Sequence, residues 1–144
     1  MENEIPGGRL HCRKKDKKEY ELLIEEGPFK RLIDVFMMAL ITGFNEANRI
    51  ELDKKEGLIL QQFVHRKQRT IIKAIAVAEE GNLDVLLDKK RVYSIAEEFA
   101  TGGIRLLKEK VFSRDYGSYI KRLESELVEE FENNVKGSEK RKIY

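Results

Sequence analysis

The sequence predicts an all-α fold: a single compact domain of five or six helices with flexible basic termini. Apolar residues recur at spacings of three and four over several long segments, which is the period of an amphipathic helix. No convincing pair of β-strands is found, and the connections between the helical segments are short. A length of 144 residues also suits one domain of ordinary size.

The composition excludes several classes of protein. Apolar residues make up 41% of the chain and charged residues 38%, with only two prolines, unlike disordered or collagen-like chains. The single cysteine, Cys12, excludes an internal disulfide and a zinc site built from several cysteines, and it is typical of a reducing compartment. Because no run of about 18 apolar residues and no hydrophobic signal core is present, we expect a cytoplasmic protein outside the membrane.

Three regions are expected along the chain. Residues 1–15 are predicted to be a flexible basic leader, because Pro6-Gly7-Gly8 interrupts any regular element and no period follows. Residues 16–136 are predicted to form the helical domain. Residues 137–144 then make a charged tail.

The first helix is predicted over residues 17–26. Asp16 is followed three residues later by Glu19, which is the spacing of a capping box. Gly27 and Pro28 end this helix, and Pro28 is well placed as the first residue of the next one, where its missing N–H costs nothing.

The second helix is predicted to begin at Pro28 and to be the most buried. Its apolar stripe repeats at helical spacing without interruption through Phe29, Leu32, Ile33, Phe36, Met37, Leu40, Ile41 and Phe44. Gly43 is expected to supply the left-handed residue that ends the helix. Residues 45–51 are polar and turn-rich and therefore predict a loop.

The middle of the chain leaves two alternatives open. Residues 52–64 contain an apolar run too brief to separate helix from strand, and the question is sharpest over residues 58–64. Residues 66–80 favour a helix ended by Gly81, although the β-branched residues within 71–77 are also compatible with a strand.

Two capping residues predict the elements that follow. Asn82 is expected to cap a short turn, and Asp88 a longer helix. Gly102 and Gly103 lie in the middle of that helix, where each glycine costs about 1 kcal/mol relative to alanine. The pair therefore implies a kink, a break between two helices, or the close approach of another backbone.

A last helix is predicted from Asp115 to Gly137. One of its faces is apolar and carries Tyr116 and Tyr119. This face either packs within the chain or forms a homo-oligomer with a second copy, and the sequence does not separate the two alternatives.

The residues that could carry chemistry do not form a convincing site. His11 and Cys12 are neighbours, but they lie in the expected leader, where no fixed geometry would hold them. His65 is interpreted as a surface or partly packed histidine rather than a metal ligand or general base. Glu97 and Glu98 are adjacent on a helix and point about 100° apart, so they do not converge on one proton or metal ion. Phosphate-loop, zinc-protease and serine-hydrolase motifs are absent. We therefore predict a non-enzymatic protein with no catalytic, cofactor-binding or metal site.

A basic cluster is the strongest candidate for a binding site. It consists of Arg66, Lys67, Arg69 and Lys73. On a helix, Arg66, Arg69 and Lys73 share one side, which suits contacts with the phosphates of double-stranded DNA. The alternative is an ordinary solvated helix face, because basic clusters give many false matches.

Two stretches resemble a known family. They are Gly27-Pro28-Phe29-Lys30 with Asp34-Val35-Phe36-Met37-Met38-Ala39, Thr42-Gly43-Phe44 and Arg49, and Ile95-Ala96-Glu97-Glu98-Phe99-Ala100-Thr101-Gly102-Gly103-Ile104. The chain resembles the DNA phosphorothioation (dnd) system-associated protein 4 family. Its members similarly carry a PFK-like start, an apolar helix that ends in Gly-Phe, and a late segment of the EEYANGG type. Phe99 replaces the family's Tyr and Thr101 its Asn.

The resemblance implies an accessory part of a prokaryotic defence system in which DNA backbone oxygens are replaced by sulfur and unmodified DNA is restricted. It implies other modification or restriction proteins as partners and carries no catalytic residues over. The motif positions expected to have a structural role are Gly43, Phe44, Glu98, Phe99, Gly102 and Gly103.

Three hypotheses follow for the function. The first is an accessory protein that contacts DNA phosphates through the basic cluster. The second is a protein–protein adaptor within the same system that does not touch DNA. The third is an enzyme that acts on a small molecule, which the absence of a catalytic constellation disfavours.

Overall fold

The structure is a computed structural model that describes residues 8–113, 127–129 and 132. The chain divides into two units, residues 1–109 and residues 110–144. The main elements, in chain order, are β1 (Arg9–Arg13), α1 (Lys17–Glu25), α2 (Leu32–Asn45), β2 (Lys55–Leu60), α3 (Arg66–Glu80) and α4 (Lys89–Val111). Short 3₁₀ turns at Lys14–Asp16, Gln61–Phe63 and Leu83–Leu87 lie between them.

The described residues are mostly helical, as predicted, but the fold is not strictly all-α. β1 and β2 form an antiparallel two-stranded sheet in which Arg9 lies opposite Leu60 and Arg13 opposite Lys55. The ambiguous middle segment is therefore a strand through Leu60, followed by a 3₁₀ turn.

The prediction of a flexible leader through residue 15 is wrong for residues 9–13. In β1, Leu10 and Cys12 point into the core, with exposed fractions of 0% and 2%, while Arg9 is exposed and His11 half-buried. This alternation is what a half-buried strand produces. The strand is stable only when it is paired with β2, which lies more than forty residues further along the chain.

α1 is confirmed to within one residue, but its expected cap is wrong. The Asp16 side chain makes no capping hydrogen bond. Its carboxylate instead accepts hydrogen bonds from Arg13, with Nε 2.7 Å from Oδ2 and Nη2 3.2 Å from Oδ1. Since both residues are buried, each charge has its partner inside the protein rather than at the helix end.

α2 begins and ends later than predicted. It begins at Leu32, four residues after Pro28, because Arg31 still has an extended backbone with φ −131°. It continues through Gly43 to Asn45, so Gly43 does not terminate it.

The residue in the left-handed conformation after α2 is Ala47, with φ 51°. The N–H of Ala47 donates to the Phe44 carbonyl at 3.1 Å, and that of Asn48 donates to the Gly43 carbonyl at 2.8 Å. This pair of hydrogen bonds is a Schellman motif, in which glycine is the usual residue at the position of Ala47.

The remaining capping predictions are confirmed. α3 ends at Gly81, whose φ of 69° is left-handed. The side chain of Asn82 accepts a hydrogen bond from the Asp84 N–H at 2.6 Å, and that of Asp88 accepts one from the Arg91 N–H at 3.1 Å.

The core of the first unit is formed by side chains from the sheet and from α1, α2, α3 and α4. Its fully or nearly fully buried side chains include Leu10, Tyr20, Leu23, Val35, Phe36, Leu40, Ile72, Ala76, Ile95, Ala96, Phe99, Ile104 and Leu107. Within the described part of the chain, no helix has the length and apolar character needed to cross a bilayer. The predicted last helix, Asp115 to Gly137, falls mostly outside the described residues, of which 127–129 and 132 are helical.

Candidate functional site

α2 and α4 approach so closely that two glycines are required between them. A Cβ atom added at Gly43 would lie 1.9 Å from the carbonyl oxygen of Phe99, and one added at Gly103 would lie 1.9 Å from that of Ala39. α4 continues as one helix through Gly102 and Gly103. Of the three explanations for this glycine pair, the structure shows the close approach of another backbone.

The loop after α2 makes the third close approach. A Cβ atom added at Gly102 would lie 1.8 Å from the carbonyl oxygen of Asn48. The Asn48 side-chain amide donates to the Gly102 carbonyl at 2.8 Å, and the Ile50 N–H donates to the Glu98 carbonyl at 3.1 Å. Backbone and side-chain hydrogen bonds therefore hold this loop along α4.

Arg49 connects the same loop to two helices. Its Nε donates to Glu98 at 2.6 Å and its Nη1 to Glu79 at 2.7 Å. Burial alone would lower the pKa of this guanidinium, but the hydrogen bonds with Glu79 and Glu98 raise it above its ordinary value. The guanidinium carbon lies 5.9 Å from the centre of the Phe99 ring, which itself packs edge-on against Phe44 at 5.4 Å.

The two stretches that carry the family resemblance therefore meet in one place, which we call the α2–α4 junction. It comprises Gly43, Phe44, Asn48, Arg49, Glu98, Phe99, Gly102 and Gly103. Every one of these residues makes a packing or hydrogen-bonding contact within the junction. The motif thus specifies how two helices and a loop fit together.

The four cations predicted as a binding site all lie on α3. Arg66 and Lys67 are exposed, while Arg69 and Lys73 are half-buried. Arg69 also has a structural role, because its Nη1 donates to the Val64 carbonyl at 3.0 Å. The structure therefore keeps Arg66, Lys67 and Lys73 at the surface.

The start of α4 adds further cations to this surface. Lys89 lines a small, partly enclosed pocket of about 20 Å³ together with Arg69 and Lys73. Tyr93 borders this pocket and also a second one of about 280 Å³, which is lined by Lys90 together with Arg9 and Lys55 from the sheet.

Together these side chains form a surface that we call the basic face. It comprises Arg9, Lys55, Arg66, Lys67, Arg69, Lys73, Lys89 and Lys90. Among the described residues, no ion pair with a carboxylate involves Arg9, Lys55, Arg66, Lys67, Lys73 or Lys90. Other cations, such as Arg13, Arg49 and Arg91, each have a carboxylate partner at 2.7 Å or less.

A histidine–carboxylate pair lies beside the basic face. Both the backbone N–H and the Nδ1 atom of His11 contact Oε2 of Glu97, at 2.5 and 2.7 Å. Burial raises the pKa of the Glu97 carboxyl above its ordinary value, and the hydrogen bonds from His11 and the charge of Lys55 oppose that rise. Glu97 and Glu98 thus point to different partners, as their helical spacing predicts.

Cys12 is not placed to react. Its exposed fraction is 2%, and burial raises the pKa of its thiol to about 11. A thiol with that pKa is almost entirely protonated near neutral pH and is therefore a poor nucleophile. The described residues contain no cluster of three or more metal-ligating side chains.

Sequence reasoning found one part of the basic face and missed the rest. Arg9, Lys55 and Lys90 were not recognised, because they come from three elements that only the folded chain brings together. One signal was available for β1: apolar Leu10 and Cys12 alternate with polar neighbours in Arg9–Arg13, which is the period of a strand.

Comparison with known proteins gives a family. Residues 13–143 match the family model of DNA sulphur modification system-associated protein 4. No curated protein and no solved structure matches the chain. The match covers both stretches of the α2–α4 junction and confirms the resemblance seen in the sequence. The chain therefore belongs to the DNA sulphur modification system-associated protein 4 family.

Proposed function

We propose that this protein is a non-enzymatic accessory component of a DNA sulphur modification system and binds the phosphate backbone of duplex DNA through its basic face. Family membership gives the association with the system and with its other proteins. The observation that carries DNA binding is the set of six cations without a carboxylate partner among the described residues, on a protein whose net charge is only +2.

In the absence of a ligand, the positive charges of the basic face lower the stability of the folded protein. α3 begins with Arg66 and Lys67, and α4 with Lys89 and Lys90, and neither helix has an acidic residue in its first turn. Positive charge at a helix N-terminus opposes the helix dipole by about 0.3–1 kcal/mol per residue. A phosphate backbone would neutralise these charges and interact favourably with the N-terminus of α3, whereas the carboxylate of Asp88 already caps α4.

The accessory role is supported by the state of Cys12. Sulfur transfer through a cysteine requires a reactive thiolate, whereas burial raises the pKa of this thiol to about 11. The chain therefore fits a role beside the sulfur-transfer chemistry rather than in it.

A salt series on duplex DNA tests the proposal. Phosphate contacts predict that the logarithm of the binding constant falls with the logarithm of salt concentration by about 0.9 per contact. The triple variant Arg66→Glu, Lys67→Glu, Lys73→Glu is expected to bind more weakly and with a flatter slope. Arg69 is left unchanged, because its hydrogen bond to Val64 supports the fold.

The matched control reverses three exposed cations outside the basic face: Lys14→Glu, Lys18→Glu and Lys30→Glu. Both variants change the net charge by the same amount. If the two lower DNA affinity equally, the chain is attracted to DNA by its overall charge, and the proposed interface is wrong.

A second candidate, a protein–protein adaptor, is favoured by a different surface. An apolar groove of about 580 Å³ is lined by side chains that include Leu32, Leu58 and Ile59, and by Phe63, which is 59% exposed. For an adaptor, co-purification with co-expressed proteins of the same gene cluster should survive the basic-face reversals and be lost in Phe63→Asp. Co-purification that is lost in the basic-face reversals and kept in Phe63→Asp would favour DNA binding.

A further inference from the structure

The pocket of about 280 Å³ between the sheet and the start of α4 is a separate feature of the basic face. Three cations reach it from three elements: Arg9 from β1, Lys55 from β2 and Lys90 from α4. The hydroxyl-bearing residues Tyr93 and Ser94 also line it. Convergence of charges from separate elements requires the folded state, so it does not follow from a run of lysines in the sequence.

The position of Arg9 depends on a glycine in the neighbouring strand. A Cβ atom added at Gly57 would lie 2.6 Å from Cδ of Arg9. Because Gly57 has no side chain, the aliphatic part of Arg9 lies against β2. The aliphatic part of Arg9 thus occupies the space that a side chain at position 57 would fill.

The acidic residue that lines the pocket already has a partner. Glu97 is 4% exposed, and its Oε2 accepts hydrogen bonds from the backbone and from Nδ1 of His11. The Arg9, Lys55 and Lys90 charges have no carboxylate within ion-pair distance among the described residues.

We propose that this pocket binds a terminal phosphate group, that is, a phosphate monoester, with Arg9, Lys55 and Lys90 as its charge partners. Three positive charges and one carboxylate leave an excess of two. A monoester carries about −1.5 to −2 at neutral pH and matches that excess, whereas a backbone diester carries a single charge. Arginine and lysine are also the side chains that phosphate groups bind most often.

Two sources present this chemistry: a free nucleotide and the phosphorylated end of a DNA strand. Isothermal titration of the full chain distinguishes them with two probe pairs. The first pair is deoxyadenosine 5′-monophosphate and deoxyadenosine. The second is a short single strand with a 5′-phosphate and the same strand with a 5′-hydroxyl. We expect at least tenfold tighter binding of the phosphorylated member in one or both pairs.

Two variants test the residues. Lys55 and Lys90 are exposed, so Lys55→Ala and Lys90→Ala should leave the fold intact. Each substitution should lower the affinity for the phosphorylated probe about tenfold. Lys18→Ala, an exposed lysine outside the basic face, is the matched control and should leave binding of the phosphorylated probes unchanged. The nucleotide pair does not depend on binding of duplex DNA, so this result is independent of the salt series.

The proposal is overturned if phosphorylated and unphosphorylated probes bind equally, or if none of them binds. It is also overturned if Lys55→Ala and Lys90→Ala bind the phosphorylated probes as the unaltered protein does. Equal weakening by Lys18→Ala would mean that the probes respond to general positive charge and would likewise contradict a defined pocket.

Discussion

In the α2–α4 junction, Arg49 lies between the carboxylates of Glu79 and Glu98, at 2.7 and 2.6 Å. On the basic face, Lys73 and Lys90 have no such partner among the described residues. In the junction the backbones of α2 and α4 are so close that only glycine fits, whereas the cations of the basic face include exposed side chains at two helix starts.

This contrast in charge pairing and packing indicates that the junction residues stabilise the fold, whereas the basic-face residues are available to bind a ligand. Charges that are paired and partly buried lose free energy when one partner is removed, because the other remains desolvated. Exposed cations without partners contribute little to stability. Substitutions in the junction should therefore lower the free energy of unfolding, and substitutions on the basic face should lower affinity instead.

The largest effect is expected for Gly103→Ala. The added Cβ would lie 1.9 Å from the carbonyl oxygen of Ala39, and a backbone atom cannot move aside as a side chain does. We expect a loss of about 3 kcal/mol or more in the free energy of unfolding, measured by urea denaturation.

The control for this substitution is Gly81→Ala. A Cβ at Gly81 would meet nothing within 4 Å, but the φ of 69° is strained for alanine and costs about 1–2 kcal/mol. If Gly81→Ala destabilises the protein as much as Gly103→Ala does, the close helix contact is not the cause.

The inner face of β1, which lies beside the basic face, is expected to exclude solvent as the junction does. With a pKa of about 11 instead of the usual 9.0, Cys12 has roughly a hundredfold less thiolate at pH 8. Alkylation by iodoacetamide should therefore be at least about a hundredfold slower in the folded protein than in urea. Equal rates would show that β1 does not cover this thiol.

The same thiol gives a pH dependence of stability. Because its pKa is raised in the folded state, the folded protein retains the proton between about pH 9 and 11 while the unfolded chain loses it. The contribution of Cys12 to stability is therefore present below pH 9 and is lost as the pH rises toward 11. Cys12→Ser should flatten this part of the profile in denaturation experiments.

A smaller effect on stability is expected for Arg49→Ala. It removes both hydrogen bonds and leaves Glu98, whose side chain is 15% exposed, without its cation. We expect a loss of about 2 kcal/mol in the free energy of unfolding with DNA affinity unchanged when corrected for the folded fraction. Lys73→Ala should show the reverse, with stability changed by less than about 0.5 kcal/mol and weaker DNA binding.

The smallest effect is a stabilisation at the edge of the junction. Ala47 has a φ of 51°, which alanine tolerates poorly and glycine readily. Ala47→Gly should raise the free energy of unfolding by about 0.5–1 kcal/mol, seen as a higher denaturation midpoint. A lower midpoint would mean that the flexibility gained by the unfolded chain outweighs the relieved strain.

Local signals predicted α1, α3, the start of α4 and the caps at Asn82 and Asp88, because each depends on residues within one or two turns. The strands could not be predicted in the same way, since β1 gains its hydrogen bonds only from β2, with Arg9 opposite Leu60.

Gly43 shows why a local rule failed. Its position near the end of an apolar stripe predicted a helix terminus. Glycine is instead required there because the backbone of Phe99, far along the chain, leaves no room for a Cβ atom. The candidate sites divide likewise. The α3 cluster lies within eight residues and was visible, whereas the pocket shared by Arg9, Lys55 and Lys90 required the tertiary structure.

The position of β1 matters for truncated versions of this protein that follow the boundaries of the family match. The family match starts at residue 13, but the strand starts at Arg9. A protein that starts at residue 13 would lack Leu10 in its core, and β2 would lose its only neighbouring strand among the described residues. Buried Glu97 would also lose its hydrogen bonds with His11. The shortest version that keeps its architecture must begin upstream of that boundary.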